Sequence, residues 1–259
     1  MSLRFCSFSS GSSGNCYMVQ SPETALLIDA GISAKRIMMG LAATETPVEK
    51  VKGVMITHEH SDHIRGLRVL LKRLGQPPAF ANHSTWQAMG MTEFVSFPQV
   101  FDTGTSFWVG DIQVKAFPTF HDAAEPVGYS FMAGGRKLSI VTDTGKIGDV
   151  ILEEIRDADT IVMEANHEEE LLLIGRYPYY LKRRILSDKG HLSNRAAAQA
   201  LCQLPERDQR QRTVLFAHLS KENNFPESVM QTVGEIFPQG EHFAMDILLR
   251  DQISCIYMV

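Results

Sequence analysis

Residues 58–63 read HEHSDH, which places three histidines, a glutamate and an aspartate in six consecutive positions, directly after the apolar run 53–57 and before a helical period beginning at Ile64. Imidazoles and a carboxylate in that number suit one or two zinc-class ions. In extended backbone His58 and His60 project to the same side, while Asp62 and His63 turn toward the start of the helix, so the two pairs can serve adjacent metals. A solvated polar loop is the ordinary explanation for a lone histidine, but it does not account for three histidines and an aspartate at HxHxDH spacing. The constraint on the fold comes from coordination number. One loop cannot saturate two cations, so histidines or carboxylates at the ends of other strands must reach the same rim. His121 after the apolar run 112–117, Asp143 after 137–142 and His218 after 213–217 are the candidates.

Short β-rich runs at 3–8, 16–20 and 24–29 open the chain, with a Ser/Gly turn at 9–14. Ser33 can cap a helix through Leu41, and residues 64–74 carry apolar side chains at 64, 67, 70, 71 and 74, a helical period. Further strands are expected at 127–132, 160–164 and 253–258, with helices at 147–156 and 226–237 and a helical, basic stretch up to Cys202. This order implies two sheets sandwiched between helical layers, because each sheet must cover its apolar outer face. The chain has 259 residues, 44% of them hydrophobic, and no linker-like tract divides them, so one domain over 1–259 is expected. No short-period repeat is visible.

Cys6, Cys16, Cys202 and Cys255 form no CxxC pair and read as buried small hydrophobes. Neither a secretory signal nor a run long enough to span a membrane is evident, so a cytoplasmic location is expected. The net charge of −5 gives no global attraction to nucleic acid. Two basic blocks nevertheless stand out. Residues 64–92 contain Arg65, Arg68, Lys72 and Arg73 and no acidic residue, and residues 171–195 set six basic residues against Asp188.

The HxHxDH loop, followed at long range by His121, Asp143 and His218, resembles the metallo-β-lactamase superfamily over essentially the whole chain. That resemblance implies an α+β fold, a four-layer αββα sandwich with metals on its edge. It implies that His58, His60 and His121 hold one divalent ion, that Asp62, His63 and His218 hold a second, and that Asp143 bridges them. It further implies that Asp29, in LLIDAG, orients a ligand histidine. The opening FSSGSSGNCY, FHDAAEPVGY around His121, the segment 164–201 and LFAHLSKENN are similar to the YycJ/WalJ branch of cytoplasmic bacterial 5′-to-3′ DNA exonucleases. Glu168 departs from that branch, which usually has Asp there.

The chemistry expected is hydrolysis of a phosphodiester. Bound metals lower the pKa of water from about 15.7 toward ~7, and a pair ~3.5–4 Å apart can grip both nucleophile and phosphate. Asp62 then belongs to the catalytic set as well as the ligand set. His191, in GHLSNRAAAQA, matches a pattern of the related tRNA 3′-processing nucleases, which assigns it to general-acid or phosphate-stabilising work. Arg176, Lys182, Arg183 and Arg184, interleaved with Tyr177, Tyr179 and Tyr180, suit phosphates and unpaired terminal bases, and His167 and Asn194 join them as candidate substrate contacts. His83 and His242 read as ordinary histidines, while Asn223 and Asn224 either fix the loop after His218 or touch substrate.

The expectation is therefore an exodeoxyribonuclease that uses two divalent ions, Zn or Mn, to activate a hydroxide against DNA ends, with no membrane or obligate protein partner. An RNA-processing nuclease, a small-molecule ester, thioester or lactam hydrolase, and a non-catalytic metal-dependent nucleic-acid binder are the alternatives.

Overall fold

Alternation of side chains about each strand sorts the apolar residues into separate layers. In the computed structural model, which describes residues 3–90, 92–205, 211–238 and 243–259, the strands are β1 (Arg4–Ser9), β2 (Cys16–Gln20), β3 (Ala25–Ile28), β4 (Val51–Met55), β5 (Ala79–Asn82), β6 (Pro98–Phe101), β7 (Ser106–Val109), β8 (Ile112–Pro118), β9 (Val127–Ala133), β10 (Arg136–Val141), β11 (Thr160–Glu164), β12 (Arg212–Ala217), β13 (Phe243–Ile247) and β14 (Tyr257–Met258). One sheet runs β14-β1-β2-β3-β4-β5-β6 and the other β13-β12-β11-β10-β9-β8-β7. Leu26 and Ile28 of β3 face the core between the sheets, whereas Leu27 faces outward to Ile37, Leu41, Leu67 and Leu70. The second sheet does the same, with Ile140 and Val162 inward and Val141, Ile161 and Met163 outward under Ile151, Leu201 and Val229. Three apolar layers between four layers of secondary structure are the αββα sandwich.

Each sheet is antiparallel in one part and parallel in the other. The β14-β1-β2-β3 pairs are antiparallel and β3-β4-β5-β6 parallel. Likewise β7-β8-β9-β10 is antiparallel and β10-β11-β12-β13 parallel. Parallel neighbours require crossovers, and these are the outer helices, among them Ala34–Ala43, Leu67–Arg73, Asp149–Arg156, Asn194–Leu201 and Pro226–Ile236. In open parallel sheets the carboxyl ends of the strands are where ligands are bound. Asp29, the 58–63 loop, Asp143, Glu164 and His218 all lie at or just beyond the carboxyl ends of β3, β4, β10, β11 and β12.

Several elements differ from the sequence expectation. The helical period from Ile64 is split into Ser61–Ile64 and Leu67–Arg73. Gly66 lies between them, where its N–H bonds Ala30 O at 2.7 Å and a Cβ would sit 2.0 Å from Ile32 O. The expected strand 253–258 contracts to Tyr257–Met258. β5, β6, β7 and β13 have no counterpart in the sequence expectation; β6 and β7 are four residues each and largely exposed, so they lack a clean apolar pattern. Ser33 caps its helix as expected, accepting from Arg36 N. Cys6 and Cys16 are buried, but Cys202 and Cys255 are exposed, and all four are free. Among the described residues no helix is long and apolar enough to cross a membrane.

The two sheets are also joined by a polar contact beneath the 58–63 loop. Tyr129, in β9, is fully buried and donates its hydroxyl to Ile56 O at 2.6 Å, just beyond β4. Tyr129→Phe strands that carbonyl without a partner, so a loss of about 1–3 kcal/mol of stability is expected in denaturant unfolding.

Candidate metal centre

The chain leaves three of the parallel strands in left-handed backbone, with Asp29 at φ 61°, Asp143 at φ 57° and His218 at φ 58°. Such conformations are uncommon for residues other than glycine, though Asp and His adopt them more often than most, and they collect at functional sites. Each sharp exit aims a side chain across the rim. His218 is held in its turn by both backbone groups, its N–H donating to Ser10 Oγ at 2.8 Å and its carbonyl accepting from Asn166 Nδ2 at 2.9 Å.

The imidazoles are oriented through Nδ1. The fully buried carboxylate of Asp29 accepts from Thr57 N and Thr57 Oγ1, both at 2.9 Å, and from His63 Nδ1 at 2.7 Å. Thr57 Oγ1, having given its proton to Asp29, accepts from His58 Nδ1 at 3.0 Å. Gly190 O lies 2.9 Å from His121 Nδ1. Glu164, also fully buried, takes His191 Nδ1 at 2.7 Å and His218 Nδ1 at 2.9 Å on one oxygen. Fixing Nδ1–H in this way turns Nε2 toward the cluster, the arrangement that metal-binding histidines use, although His63 Nε2 lies 3.1 Å from Asn15 Nδ2.

The free ends converge. Ligand atoms of His58, His60 and His121 lie within 4.8 Å of one another, as do those of Asp62, His63 and His218, those of His58, His63 and Asp143, and those of Asp143, Glu164, His191 and His218. Asp143 Oδ2 is 3.4 Å from His63 Nε2, and Asp143 Oδ1 is 3.6 Å from His218 Nε2 and 3.9 Å from His121 Nε2. His58 Nε2, His218 Nε2 and Asp143 Oδ2 are buried without any hydrogen-bond partner. Orphaned polar atoms of this kind are costly unless a ligand takes them. Two groups of donors flanking one carboxylate fit divalent cations, so the cluster is able to bind metal.

The electrostatics divide the imidazoles. Burial and then the neighbouring imidazoles push His58 well below the ordinary histidine value, the neutral form that coordinates. Burial opposes charge on His63, but Asp143, Asp29 and Asp62 outweigh it and raise that histidine to about 9. Burial likewise disfavours ionised Asp143, yet His218, His63 and His121 hold it below the usual carboxylate range. Cations entering such a cluster displace protons from imidazole.

The sequence expectation did not include Glu164. It closes the buried strand β11, and besides the two histidines it accepts from Thr144 N at 2.9 Å and Leu192 N at 3.3 Å. A carboxylate ending a wholly buried strand was the available signal. Gly31 is a second omission: a Cβ there would sit 1.5 Å from Asp62 O, so only glycine lets the 29–31 segment pass against the metal loop.

The expected substrate residues divide. Arg184 grips Asp122 through two nitrogens, at 2.5 and 2.9 Å, and Asp122 Oδ1 lies 3.4 Å from His121 Nε2, which ties the helix Tyr179–Ile185 to the metal cluster. Arg176 and Arg183 are exposed, Arg183 standing over the Tyr179 ring at 5.9 Å, while Lys182 Nζ donates to Leu173 O at 2.6 Å. Tyr179 and Tyr180 are each 75% exposed.

His167 and Asn194 do not join this surface. His167 is 1% exposed, and burial lowers it to about 4. Asn194 is fully buried, its carboxamide taken up by Glu168 and by two bonds to Asn224. Both pack beneath the His191 loop, where Asn194 N bonds His167 O. Glu168 bonds Thr232 and Asn194, and Asn224 also holds Ala165 O, so these side chains fix the loops between β11 and the helix Pro226–Ile236. His83 is exposed, and His242 lies outside the described residues.

A family model described as the beta-lactamase superfamily domain matches residues 24–218. The chain is 40% identical over 242 residues to a Bacillus anthracis protein named exodeoxyribonuclease YycJ, covering 92% of this chain and 90% of that one. It is 38% identical to the exodeoxyribonuclease WalJ of Streptococcus pneumoniae, covering 89% and 87%. Among solved structures, the metallo-beta-lactamase fold protein YhfI from Bacillus subtilis superposes with a TM-score of 0.76 at 15% identity over the whole of both chains, a likeness of fold.

Because Glu164 orients His191 and His218 together, Glu164→Gln removes the charged acceptor from both. Removing the group that orients a ligand histidine costs about 10–100-fold in metal affinity. Competition titration of the protein with a chromophoric chelator is expected to show that drop while circular dichroism stays unchanged.

Proposed function

We propose that this chain, which belongs to the beta-lactamase superfamily, is a metal-dependent phosphodiesterase that degrades DNA from its ends, in the 5′-to-3′ direction its resemblance to the YycJ/WalJ branch implies. The observation that carries the reading is the pair of three-residue donor groups on either side of Asp143, with His191 held at their edge by Glu164. His58, His60 and His121 would hold one divalent ion, and Asp62, His63 and His218 a second, with Asp143 shared. Imidazole ligands suit zinc, and the carboxylates also admit manganese. Such ions supply Lewis acidity toward a phosphoryl oxygen and lower the pKa of water.

The protein's own groups divide the remaining work. His191 Nδ1 is fixed by Glu164, so Nε2 is the end available to a substrate oxygen; its ring centroid lies 4.9 Å from that of His121 and 5.3 Å from that of His218. Its side chain is 15% exposed, so a strand end can reach it. When doubly protonated, with Nδ1–H on the Glu164 carboxylate, it can donate its Nε2 proton to the departing oxygen or stabilise the phosphoryl group, a role typically worth ~10²–10⁴ in rate. Asp62, with 25% of its side chain exposed against 4% for Asp143 and none for Glu164, is the most open of these three to an attacking water's proton.

A nucleic-acid substrate is supported by the helix Tyr179–Ile185 beside this cluster. Its exposed tyrosines offer stacking faces for terminal bases, and Arg176 and Arg183 offer charge for phosphates. Arg184 already pairs with Asp122, so its first task is to position that helix.

The test uses end-labelled single- and double-stranded DNA and matched RNA, with 5′-phosphate or 5′-hydroxyl termini, under defined Mn²⁺ or Zn²⁺. Shortening of DNA from the 5′ end is expected, lost on chelation. His60→Ala and Asp143→Asn are expected to reduce it to background with the fold retained, and His191→Ala to slow it by ~10²–10⁴. Cleavage that survives His60→Ala, or that is confined to RNA, overturns the proposal.

A further inference from the structure

A cavity of about 570 Å³ lies behind the 58–63 loop, lined in part by Ser33, Lys35, Arg36, Arg65, Val69 and Arg73, with no carboxylate in its wall. Four cationic side chains thus converge on one hollow in a chain whose net charge is −5. Arg65 Nη2 donates to Ser13 O at 2.7 Å and Gly31 O at 2.9 Å, contacts that hold the guanidinium in place without neutralising it. Arg36 shares a 3.3 Å pair with Asp251, both side chains well exposed. Among the described residues Lys35 and Arg73 have no carboxylate partner. The helix Ala34–Ala43 begins in the same wall and has no acidic residue in its first turn, so its positive end adds to the field.

The wall is continuous with the metal-binding loop. Gly66 N bonds Ala30 O at 2.7 Å, and Ala30 N bonds His63 O at 2.7 Å. Arg65 is two residues beyond His63. The cavity also accounts for part of the acid-free run 64–92, which the metal chemistry does not use.

We propose that this cavity is a second phosphate-binding subsite, which grips the backbone of a DNA strand whose end lies at the metal centre. The inference rests on the nuclease reading above. Four positive charges, with Arg36 alone paired to a carboxylate among the described residues, recognise phosphodiesters by charge and carry no sequence information, and the exposed Val69 gives the sugar an apolar contact. A strand held at two points is positioned without base readout, which suits an enzyme that degrades ends of any sequence.

The test compares the wild-type chain with Lys35→Glu/Arg73→Glu, two exposed side chains whose replacement leaves the hydrogen bonds of Arg65 intact, and with the milder Lys35→Gln/Arg73→Gln. Fluorescence anisotropy is measured with a long single-stranded oligonucleotide, a dinucleotide and inorganic phosphate across a salt series. For the long strand, the Gln pair is expected to weaken binding about tenfold and to lower the salt slope by about 2, one for each phosphate no longer neutralised, while dinucleotide binding is unchanged. The Glu pair is expected to weaken it further. Unchanged affinity and salt slope for the long strand overturn the proposal, as does a loss shared equally by inorganic phosphate, which would make the cavity a free-anion site. Binding is read without turnover. Loss of strand binding in a protein that cleaves no DNA sustains the cavity and removes the nuclease reading, whereas intact strand binding with active cleavage removes the cavity alone.

Discussion

The bond from His63 Nδ1 to the buried carboxylate of Asp29, 2.7 Å long, is the contact on which the rest of the rim is assembled. Asp29 has no solvent to stabilise its charge, so it is tolerated only because His63 and both the amide and hydroxyl of Thr57 answer it. Those same partners carry the metal loop. Asp29 therefore locks β3 to the exit of β4 and, through Thr57 and His63, fixes the rings of two candidate ligands at once. Removing one member of such a buried pair leaves an uncompensated charge, typically at a cost of about 3–5 kcal/mol.

The second sheet repeats the device. Glu164, at the carboxyl end of β11, stands to His218 and His191 as Asp29 stands to His63 and, through Thr57, His58. Each sheet thus supplies one buried anion that turns two imidazoles toward the gap between the sheets. Asp143, leaving β10 in left-handed backbone, lies between the two sets. The loops that carry the candidate ligands leave strand ends and are pinned by buried hydrogen bonds, which hold their geometry closely.

Charge is distributed on two scales. At the rim, carboxylates and imidazoles are interleaved within a few ångströms. Around it, basic groups are spread over two surfaces, the helix Tyr179–Ile185 on one side and the cavity by Arg65 on the other. An acidic chain avoids non-specific adhesion, while on the proposed reading these local fields would draw a polyanion toward the candidate metal centre.

The amino-acid order alone determined the fold class and the inventory of candidate ligands. Histidine and aspartate after apolar runs at 58–63, 121, 143 and 218 are legible because strand ends and ligand chemistry are both local properties. The apolar runs at 16–20, 160–164 and 213–217 announced buried strands for the same reason. The short edge strands β6 and β7 stayed hidden because exposure leaves them no alternating pattern. Tertiary structure decided everything that depends on two distant segments meeting. Glu164 became the orienter of two histidines because β11 lies beside β12, and His167 and Asn194 came together because the segment after β11 bridges to the His191 loop. Lys35 and Arg36 joined the 64–92 basic block at one cavity because Gly66 lets the two loops touch. Sequence spacing specifies which chemistry is present; only packing specifies which groups share a volume, because that depends on contacts between residues far apart in the chain.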